Sequence, residues 1–398
     1  MHVGRKAVPE AVVAAINSAT RSVICRLLLA GLLCGAMKAN AAVLPEERAD
    51  AMYHRYEGGG VSIDGPSILL RTNVGNSVSL FANYYIDSIS GASIDVEATA
   101  SPYAEERTEY SLGMDYLRNK TLMSVSVTSS SENDFDAKTM HLGITQDFFG
   151  DLTTLSMGYS YGQDDVRRTG DAGFAEQATR HNFSVGLTQV VSKNLIVGLN
   201  LENISDQGYL NNPYRAVRFL DANAALGYRF ETERYPRSRT SNALAMNANY
   251  YLPWRASVFF EGRYFTDTWG IRANTARLGY VHTFGDHWLL EVRSRFYRQD
   301  QADFYSDLFN RSAEFDFMAR DKELASYRNV SVGFSASWLY QFGSDNWLSK
   351  ASLNLEYDRL KFDYDNFRDV RVTDVLPGQE PLYQFDADVL RLYFSLWF

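Results

Sequence analysis

The sequence has no run of about 20 consecutive apolar residues, which is the length that a helix needs to cross a bilayer. Its longest apolar stretch is Leu27–Met37, only 11 residues long. A membrane protein built from helices is therefore excluded.

Cysteine is almost missing: the chain has two, Cys25 and Cys34, and both lie in or beside that stretch. Two arginines precede its apolar core and Ala39-Asn40-Ala41 follows it, which is the pattern of a secretory signal peptide. Lipidation of Cys34 is disfavoured because Leu33 is too large for the usual lipobox. We predict a signal peptide over residues 1–41 and a cysteine-free mature chain over residues 42–398. Disulfides, thiol catalysis and cysteine metal sites are thereby excluded.

The mature chain is also short of positive charge. Without residues 1–41 it keeps 34 Lys and Arg against 47 Asp and Glu, a net charge of −13. Nucleic-acid binding needs clustered Lys and Arg. We therefore expect no nucleic-acid partner.

Alternation of apolar and polar residues is what the chain does contain. In Thr108–Arg118 the even positions are Tyr110, Leu112, Met114 and Tyr116, and polar or small residues stand between them. Segments of about ten such residues are typical of strands that cross a bilayer as a barrel. The aromatic content of 14% suits the aromatic girdles of such barrels.

The connections between these segments are of two kinds, short turns and long loops. The short turns are Thr72–Asn76, Asn119-Lys120, Phe149–Leu152, Val190–Asn194, Leu252–Arg255, Phe284–His287 and Gly343–Trp347. The long segments are Ile89–Arg107, Asp165–Ala178, Asp206–Thr240, Asp300–Ala325 and Asp363–Phe385. Outer-membrane barrels have short periplasmic turns and longer extracellular loops. We predict one domain, an all-β transmembrane antiparallel up-and-down β-barrel of about 16 strands.

The last strand ends on an aromatic residue. Leu392, Phe394, Leu396 and Phe398 form an apolar row with a spacing of two. This row resembles the last strand of bacterial outer-membrane barrels, where it implies a signal for the barrel-assembly machinery.

Several motifs along the chain resemble a family known only as a domain of unknown function (number 3570). They are Leu44–Asp50, Tyr53–Tyr56, Asn83–Tyr85, Ser101–Tyr103, Asp267–Gly270, Asp303–Asp307 and Ala319–Glu323. The resemblance implies an outer-membrane barrel. It brings no known activity, ligand or catalytic residue.

Charges of both signs fall on the inward rows of the predicted strands. The candidate lumen-lining residues are Arg263, Arg293, Arg295, Glu261, Glu291, Glu356 and Asp358. One interpretation is a pore that selects small hydrophilic solutes, with the three arginines as a basic wall. The alternative is that cross-strand pairs hold the wall together and loops close the lumen.

The segment Asp300–Ala325 carries seven carboxylates and several aromatics. A calcium site is one interpretation, but the spacing matches no EF-hand loop. A solvated loop, with divalent ions bridging to lipopolysaccharide, is favoured. Its aromatics suggest that the loop folds on itself or into the lumen.

Enzymatic barrels need a histidine beside a nucleophile or carboxylate. His141 is expected to face inward with Asp147, but no serine stands at a suggestive offset. Gly58-Gly59-Gly60 is a tight turn, since no phosphate-binding lysine follows it. We expect no catalytic residue, no metal site and no cofactor.

The sequence thus predicts an outer-membrane protein of a Gram-negative bacterium, with a porin-like channel for small hydrophilic solutes. The alternative is a plugged barrel that acts as an interaction or assembly scaffold with a lipoprotein or a periplasmic partner. The expected partners are outer-membrane lipids, lipopolysaccharide and the barrel-assembly machinery.

Overall fold

A computed structural model describes residues 43–91, 103–343 and 346–398 of the chain. The predicted signal peptide lies outside the described residues. The first nine strands are β1 (Arg48–Gly58), β2 (Val61–Val74), β3 (Val78–Gly91), β4 (Tyr103–Arg118), β5 (Thr121–Ser131), β6 (Phe135–Phe148), β7 (Thr153–Arg168), β8 (Asp171–Ser192) and β9 (Leu195–Gly208). The others are β10 (Ala216–Leu220), β11 (Tyr228–Thr232), β12 (Ser238–Leu252), β13 (Ala256–Asp267), β14 (Arg272–Phe284), β15 (Trp288–Gln299), β16 (Tyr327–Gln341), β17 (Lys350–Arg368) and β18 (Leu382–Trp397).

Sixteen of these strands form one closed antiparallel barrel. Each strand pairs with its neighbours in sequence, β9 pairs with β12, and β18 returns to pair with β1. The two short strands β10 and β11 form a separate hairpin between β9 and β12. Closure gives every barrel strand two partners, which satisfies the backbone groups without water. The prediction of an up-and-down barrel of about 16 strands is confirmed.

The two ends of the barrel differ. Both ends of the described chain lie at one end, together with short turns such as residues 119–120 and 193–194, and we call it the short-turn end. The other end, the long-loop end, carries the longest connections among the described residues, 209–237, 300–326 and 369–381.

Asp165–Ala178 is not the long loop that its polarity suggests. β7 continues to Arg168 and β8 begins at Asp171, so the connection is only Thr169 and Gly170. Gly170 has a φ of +87°, which glycine adopts without a steric penalty. Polar side chains along the hairpin pair across the two strands where those of a loop would bind water; Gln177, for example, donates to Asp165 at 2.7 Å. The hairpin therefore extends as strand beyond the neighbouring connections.

The outer surface of the barrel is apolar over its middle. Exposed Leu, Val, Met, Phe and Tyr side chains alternate with inward side chains on each barrel wall; examples are Leu112, Leu142, Leu201, Val332, Leu355 and Leu392. This is the lipid-facing belt of a transmembrane barrel. Among the described residues, no helix is long and apolar enough to span a bilayer.

Three connections at the long-loop end fold together over the barrel mouth; we call residues 209–237, 300–326 and 369–381 the loop cap. Their apolar centre contains Tyr235, Tyr305 and Leu324, which pack with Trp269 and Phe367 from the barrel rim. The backbone joins them as well, since Phe309 N–H donates to the Arg218 carbonyl at 2.9 Å. Such a buried aromatic centre makes the loop cap a folded layer.

Candidate functional site

The lumen has two contrasting walls. On β15–β18 most inward side chains are buried; we call this the crowded wall. On β5–β9 most inward side chains stay partly accessible; we call this the open wall. The candidate site is the lumen between them.

An ion network fills the crowded wall. Arg293 Nη2 lies 2.5 Å from Asp358 Oδ2 and 3.4 Å from Glu356 Oε2, and its Nη1 lies 3.4 Å from Glu291 Oε1. Arg391 also reaches Glu356, at 3.3 Å. The network joins three arginines and three carboxylates, namely Arg277, Arg293, Arg391, Glu291, Glu356 and Asp358. Arg277 extends it to a fourth carboxylate, Glu261. Each of these charges has a partner of opposite sign, as buried ions require.

A glycine makes this network possible. Arg293 on β15 reaches Asp358 on β17 by crossing β16 at Gly333. A Cβ atom at position 333 would lie 2.0 Å from Asp358 Oδ1 and 2.6 Å from Arg293 Nε. Any side chain at this position would separate the ion pair.

The other candidate lumen residues also pair along the wall. Arg263 donates to Glu202 at 3.3 Å, and Glu261 accepts from Arg277 at 3.2 Å. Arg295 donates to Asn329 Oδ1 at 3.2 Å. The basic wall expected from Arg263, Arg293 and Arg295 is therefore not a run of uncompensated positive charge. Carboxylates on strands not adjacent in sequence pair with Arg263 and Arg293, and the amide oxygen of Asn329 accepts from Arg295.

The open wall carries small and polar side chains. Its inward row includes Ser124, Ser126, Thr139, His141, Gly143, Ser156, Gly158, Ser160, Ser184, Gly186 and Asn200. Side chains of this size occupy less volume than those of the ion network opposite, and most of them stay partly accessible. The arrangement can hold water and small polar solutes along one side of the lumen.

The loop cap is fixed by buried ion pairs. Arg218 is fully buried and contacts Asp307 and, at 2.5 Å, Glu380. Arg320 lies 3.0 Å from the same Asp307 and stacks on Phe367, with 4.4 Å to the ring centroid. Burial alone would lower the pKa of Arg218, but Glu380 and Asp307 hold it above its usual value. Two arginines thus join all three segments of the loop cap.

These contacts change the interpretation of the acidic segment Asp300–Ala325. Asp307 pairs with arginines, and so does Asp321, which contacts Arg215. A solvated loop was the favoured expectation, and it is wrong for most of the segment because Tyr305, Met318 and their neighbours are buried. The expected folding of its aromatics is observed at Tyr305, whereas Phe315 stays exposed.

His141 faces the lumen and has a serine beside it. Its Nδ1 lies 2.9 Å from Ser160 Oγ on the neighbouring strand. Asp147, the carboxylate on the same inward row, instead accepts from Thr154 at 2.6 Å. The serine could not be found from an offset within one strand, because cross-strand pairing brings it to His141.

A carboxylate cluster at the long-loop end was not among the expected sites. Glu105 on β4 lies close to Glu132 and Asp134 in the connection between β5 and β6. Burial and the neighbouring Glu105 raise the pKa of Glu132 to about 8, although Arg107 opposes the shift. The sequence separates these residues by about one hairpin, so only the strand pairing shows that they meet.

The proposed assembly signal lies on the strand that closes the barrel. Leu392 and Phe394 point outward from β18 and are more than 40% exposed. The Phe398 amide donates to the Glu47 carbonyl at 3.4 Å, next to the first strand. The terminal row therefore lies at the seam where the two ends of the barrel meet.

The family model described as Protein of unknown function (DUF3570) matches residues 94–361, more than half of the chain. The chain belongs to this family. The match includes the motifs from Ser101 to Glu323, while Leu44–Asp50, Tyr53–Tyr56 and Asn83–Tyr85 lie before it. Among curated proteins, none matches the sequence.

Several solved structures are similar in fold. A bacterial polysaccharide outer membrane secretin has a TM-score of 0.46 and 7% identity, with 89% of this chain and 100% of that chain covered. OmpT, an outer membrane protein of Vibrio cholerae, has a TM-score of 0.40 and 10% identity, with 89% of this chain and 100% of that chain covered. OccK2 of Pseudomonas aeruginosa, in complex with glucuronate, has a TM-score of 0.40 and 9% identity, with 88% of this chain and 98% of that chain covered. At these scores and identities the likeness is only a loose one between barrels.

Proposed function

We propose that the protein is an outer-membrane channel for small hydrophilic solutes in a Gram-negative bacterium. In this proposal the short-turn end faces the periplasm and the loop cap faces the outside, following the usual turn and loop lengths of such barrels. Solute passes along the open wall, and the loop cap restricts its entry.

The observation that supports the proposal is the difference in accessibility across the lumen. On the crowded wall Arg293 and Glu356 are 6% and 3% exposed. On the open wall Ser126 and Ser160 keep partial exposure, and Asn200 is exposed. Because a 16-stranded barrel is wide enough for an aqueous channel, side chains that fill only one half leave a narrow passage along the other.

Solute flux into liposomes tests this function. Purified mature protein should admit small neutral sugars, since the open wall carries mainly uncharged polar groups. It should exclude larger sugars, because the proposed passage is narrow and the loop cap restricts entry. Liposomes with heat-denatured protein are the control. Absence of flux for every solute would contradict the channel proposal.

The second candidate function is a plugged scaffold, and the loop cap is the observation that favours it. A folded layer held by Arg218 and Arg320 could close the mouth completely and offer a fixed surface to a lipoprotein or a periplasmic partner. A stoichiometric partner that co-purifies in mild detergent, together with zero flux, would favour the scaffold over the channel.

We further propose that the protein contacts lipopolysaccharide and is inserted by the barrel-assembly machinery through its terminal row. We also propose that it has no enzymatic role. His141→Ala should then leave the lipid composition of the membrane unchanged. A hydrolase or acyltransferase activity that disappears in His141→Ala would contradict this.

A further inference from the structure

Three carboxylates converge at the long-loop end of the open wall. Glu105 lies near the start of β4, and Glu132 and Asp134 lie in the three-residue connection between β5 and β6. One carboxylate oxygen of each residue lies within 4.8 Å of one from each of the other two. Such closeness costs free energy unless something positive lies between them.

The burial of these oxygens adds a second, separate observation. Asp134 is 3% exposed, and its Oδ1 is buried without a hydrogen-bond partner among the described residues. The same holds for Oε2 of Glu132. Buried polar atoms are nearly always satisfied by a protein group, a water or an ion. These two oxygens therefore point to a ligand.

The nearby positive charge is shared with another carboxylate. The guanidinium of Arg107 attracts Glu132 but pairs with Asp87 at 2.5 Å, and Asp87 also contacts His54 at 2.7 Å. The second oxygen of Asp134 accepts from the Tyr214 hydroxyl, which is neutral. Oε1 of Glu105 accepts from the backbone N–H of Asn133 at 3.2 Å. These contacts orient the carboxylates, and they leave Oδ1 of Asp134 and Oε2 of Glu132 without a hydrogen-bond partner among the described residues.

We propose that Glu105, Glu132 and Asp134 bind a calcium ion. Calcium takes six to eight oxygen ligands, carboxylates among them, at 2.3–2.6 Å in a flexible geometry. Magnesium demands near-ideal octahedral geometry and keeps several of its waters, so a largely buried group of three carboxylates suits calcium better. The acidic loop at Asp300–Ala325 is not the site, because arginines already neutralise its buried carboxylates.

The ion would connect three parts of the molecule. Its ligands come from β4 and from the connection after β5, and Tyr214 joins Asp134 to the first segment of the loop cap. The Tyr214 hydroxyl also accepts from the Thr169 N–H at 2.8 Å, in the β7–β8 turn. Calcium would thus fix the loop cap above the open wall.

Terbium luminescence tests the site in the complete mature protein in detergent. Tyrosine excitation should sensitise bound Tb³⁺, with Tyr214 next to the ligands, and Ca²⁺ should displace it. Affinity for Ca²⁺ should be in the range of about 0.1–1 mM that extracellular sites show. Glu132→Gln and Asp134→Asn should each weaken binding at least about tenfold, since each removes a ligand charge. Asp316→Asn, an exposed carboxylate of the loop cap, is the matched control and should bind as the wild type does.

Folding of each variant is checked by its heat-dependent migration in gels. If both variants misfold, the wild-type protein alone tests the site, because its unfolding temperature should be higher with Ca²⁺ than with EDTA. No terbium signal and no shift of the wild-type unfolding temperature would overturn the proposal. Equal binding by folded Glu132→Gln and Asp134→Asn would also overturn it. Stabilisation by Mg²⁺ as large as that by Ca²⁺ would overturn the assignment to calcium.

Discussion

The crowded wall and the open wall have the same backbone pattern and opposite contents. Both are antiparallel strands with an apolar outer face, as Leu355 and Leu142 show with 42% and 43% exposure. Inside, one wall holds a network of paired ions and the other holds small hydroxyl and glycine residues. The difference teaches that strand alternation determines the barrel, whereas side-chain volume on the inner rows determines where a lumen exists.

The largest effect should come from breaking the ion network. Arg293→Ala removes the guanidinium that contacts Glu291, Glu356 and Asp358, which should cost about 3–5 kcal/mol of unfolding free energy. Thr188→Ala, an exposed inward position on the open wall, should change it by less than about 0.5 kcal/mol. Urea unfolding from detergent micelles measures both. Equal effects of the two substitutions would remove the contrast between the walls.

The outer faces of the two walls should respond alike. Leu355→Arg and Leu142→Arg each put a charge into the lipid-facing belt and should cost about 2–4 kcal/mol near the bilayer midplane. Folding yield and stability in lipid vesicles measure the cost. A large penalty at only one position would mean that the apolar belt does not surround the whole barrel.

The loop cap should be released by removing its central arginine. Arg218→Ala leaves Asp307 and Glu380 without that partner and should loosen the contact between the three segments. Conductance in planar bilayers should rise several-fold, whereas Arg234→Ala, which removes a side chain at the partly exposed edge of the loop cap, should change it little. A decrease of conductance in Arg218→Ala would contradict the role of the loop cap as a restriction.

Acid should loosen the same contact more weakly. Burial alone would raise the pKa of Glu380, but its hydrogen bonds with Arg218 hold it below its usual value. The contribution of Glu380 is therefore complete above the ordinary glutamate pKa of about 4.3 and is lost as the pH falls through the lower folded value. Protease cleavage within the loop cap should be slow at neutral pH and faster below pH ~4. Cleavage independent of pH in that range would exclude this linkage.

Much of the barrel could be predicted because alternation is a local property. The rows of Tyr110 to Tyr116 and of Leu392 to Phe398 show their two faces without any knowledge of their neighbours. Closure and the even strand number then followed from the need to pair every strand. The extension of the β7–β8 hairpin was predicted as a long loop. Polar residues outside the membrane can either pair as strands or stay in a solvated loop, and their sequence pattern does not distinguish the two.

The interior could be predicted only in part, since it depends on which strands meet. Arg293 and Asp358 are 65 residues apart and touch only because Gly333 leaves room above β16. Glu105 and Asp134 meet through the pairing of β4 with β5. The loop cap has no periodic pattern at all, and its buried arginines became visible only when three separate segments folded together.

The central claim is that solute passes along the open wall, and single-channel conductance of one pair of variants tests it most directly. Asn200 faces the lumen on β9, and the next residue, Leu201, faces lipid with 53% exposure. Asn200→Trp should reduce the conductance strongly by filling the passage, while Leu201→Trp should leave it at the wild-type value. Equal conductance of wild type, Asn200→Trp and Leu201→Trp, or no conductance in any of them, would contradict the account.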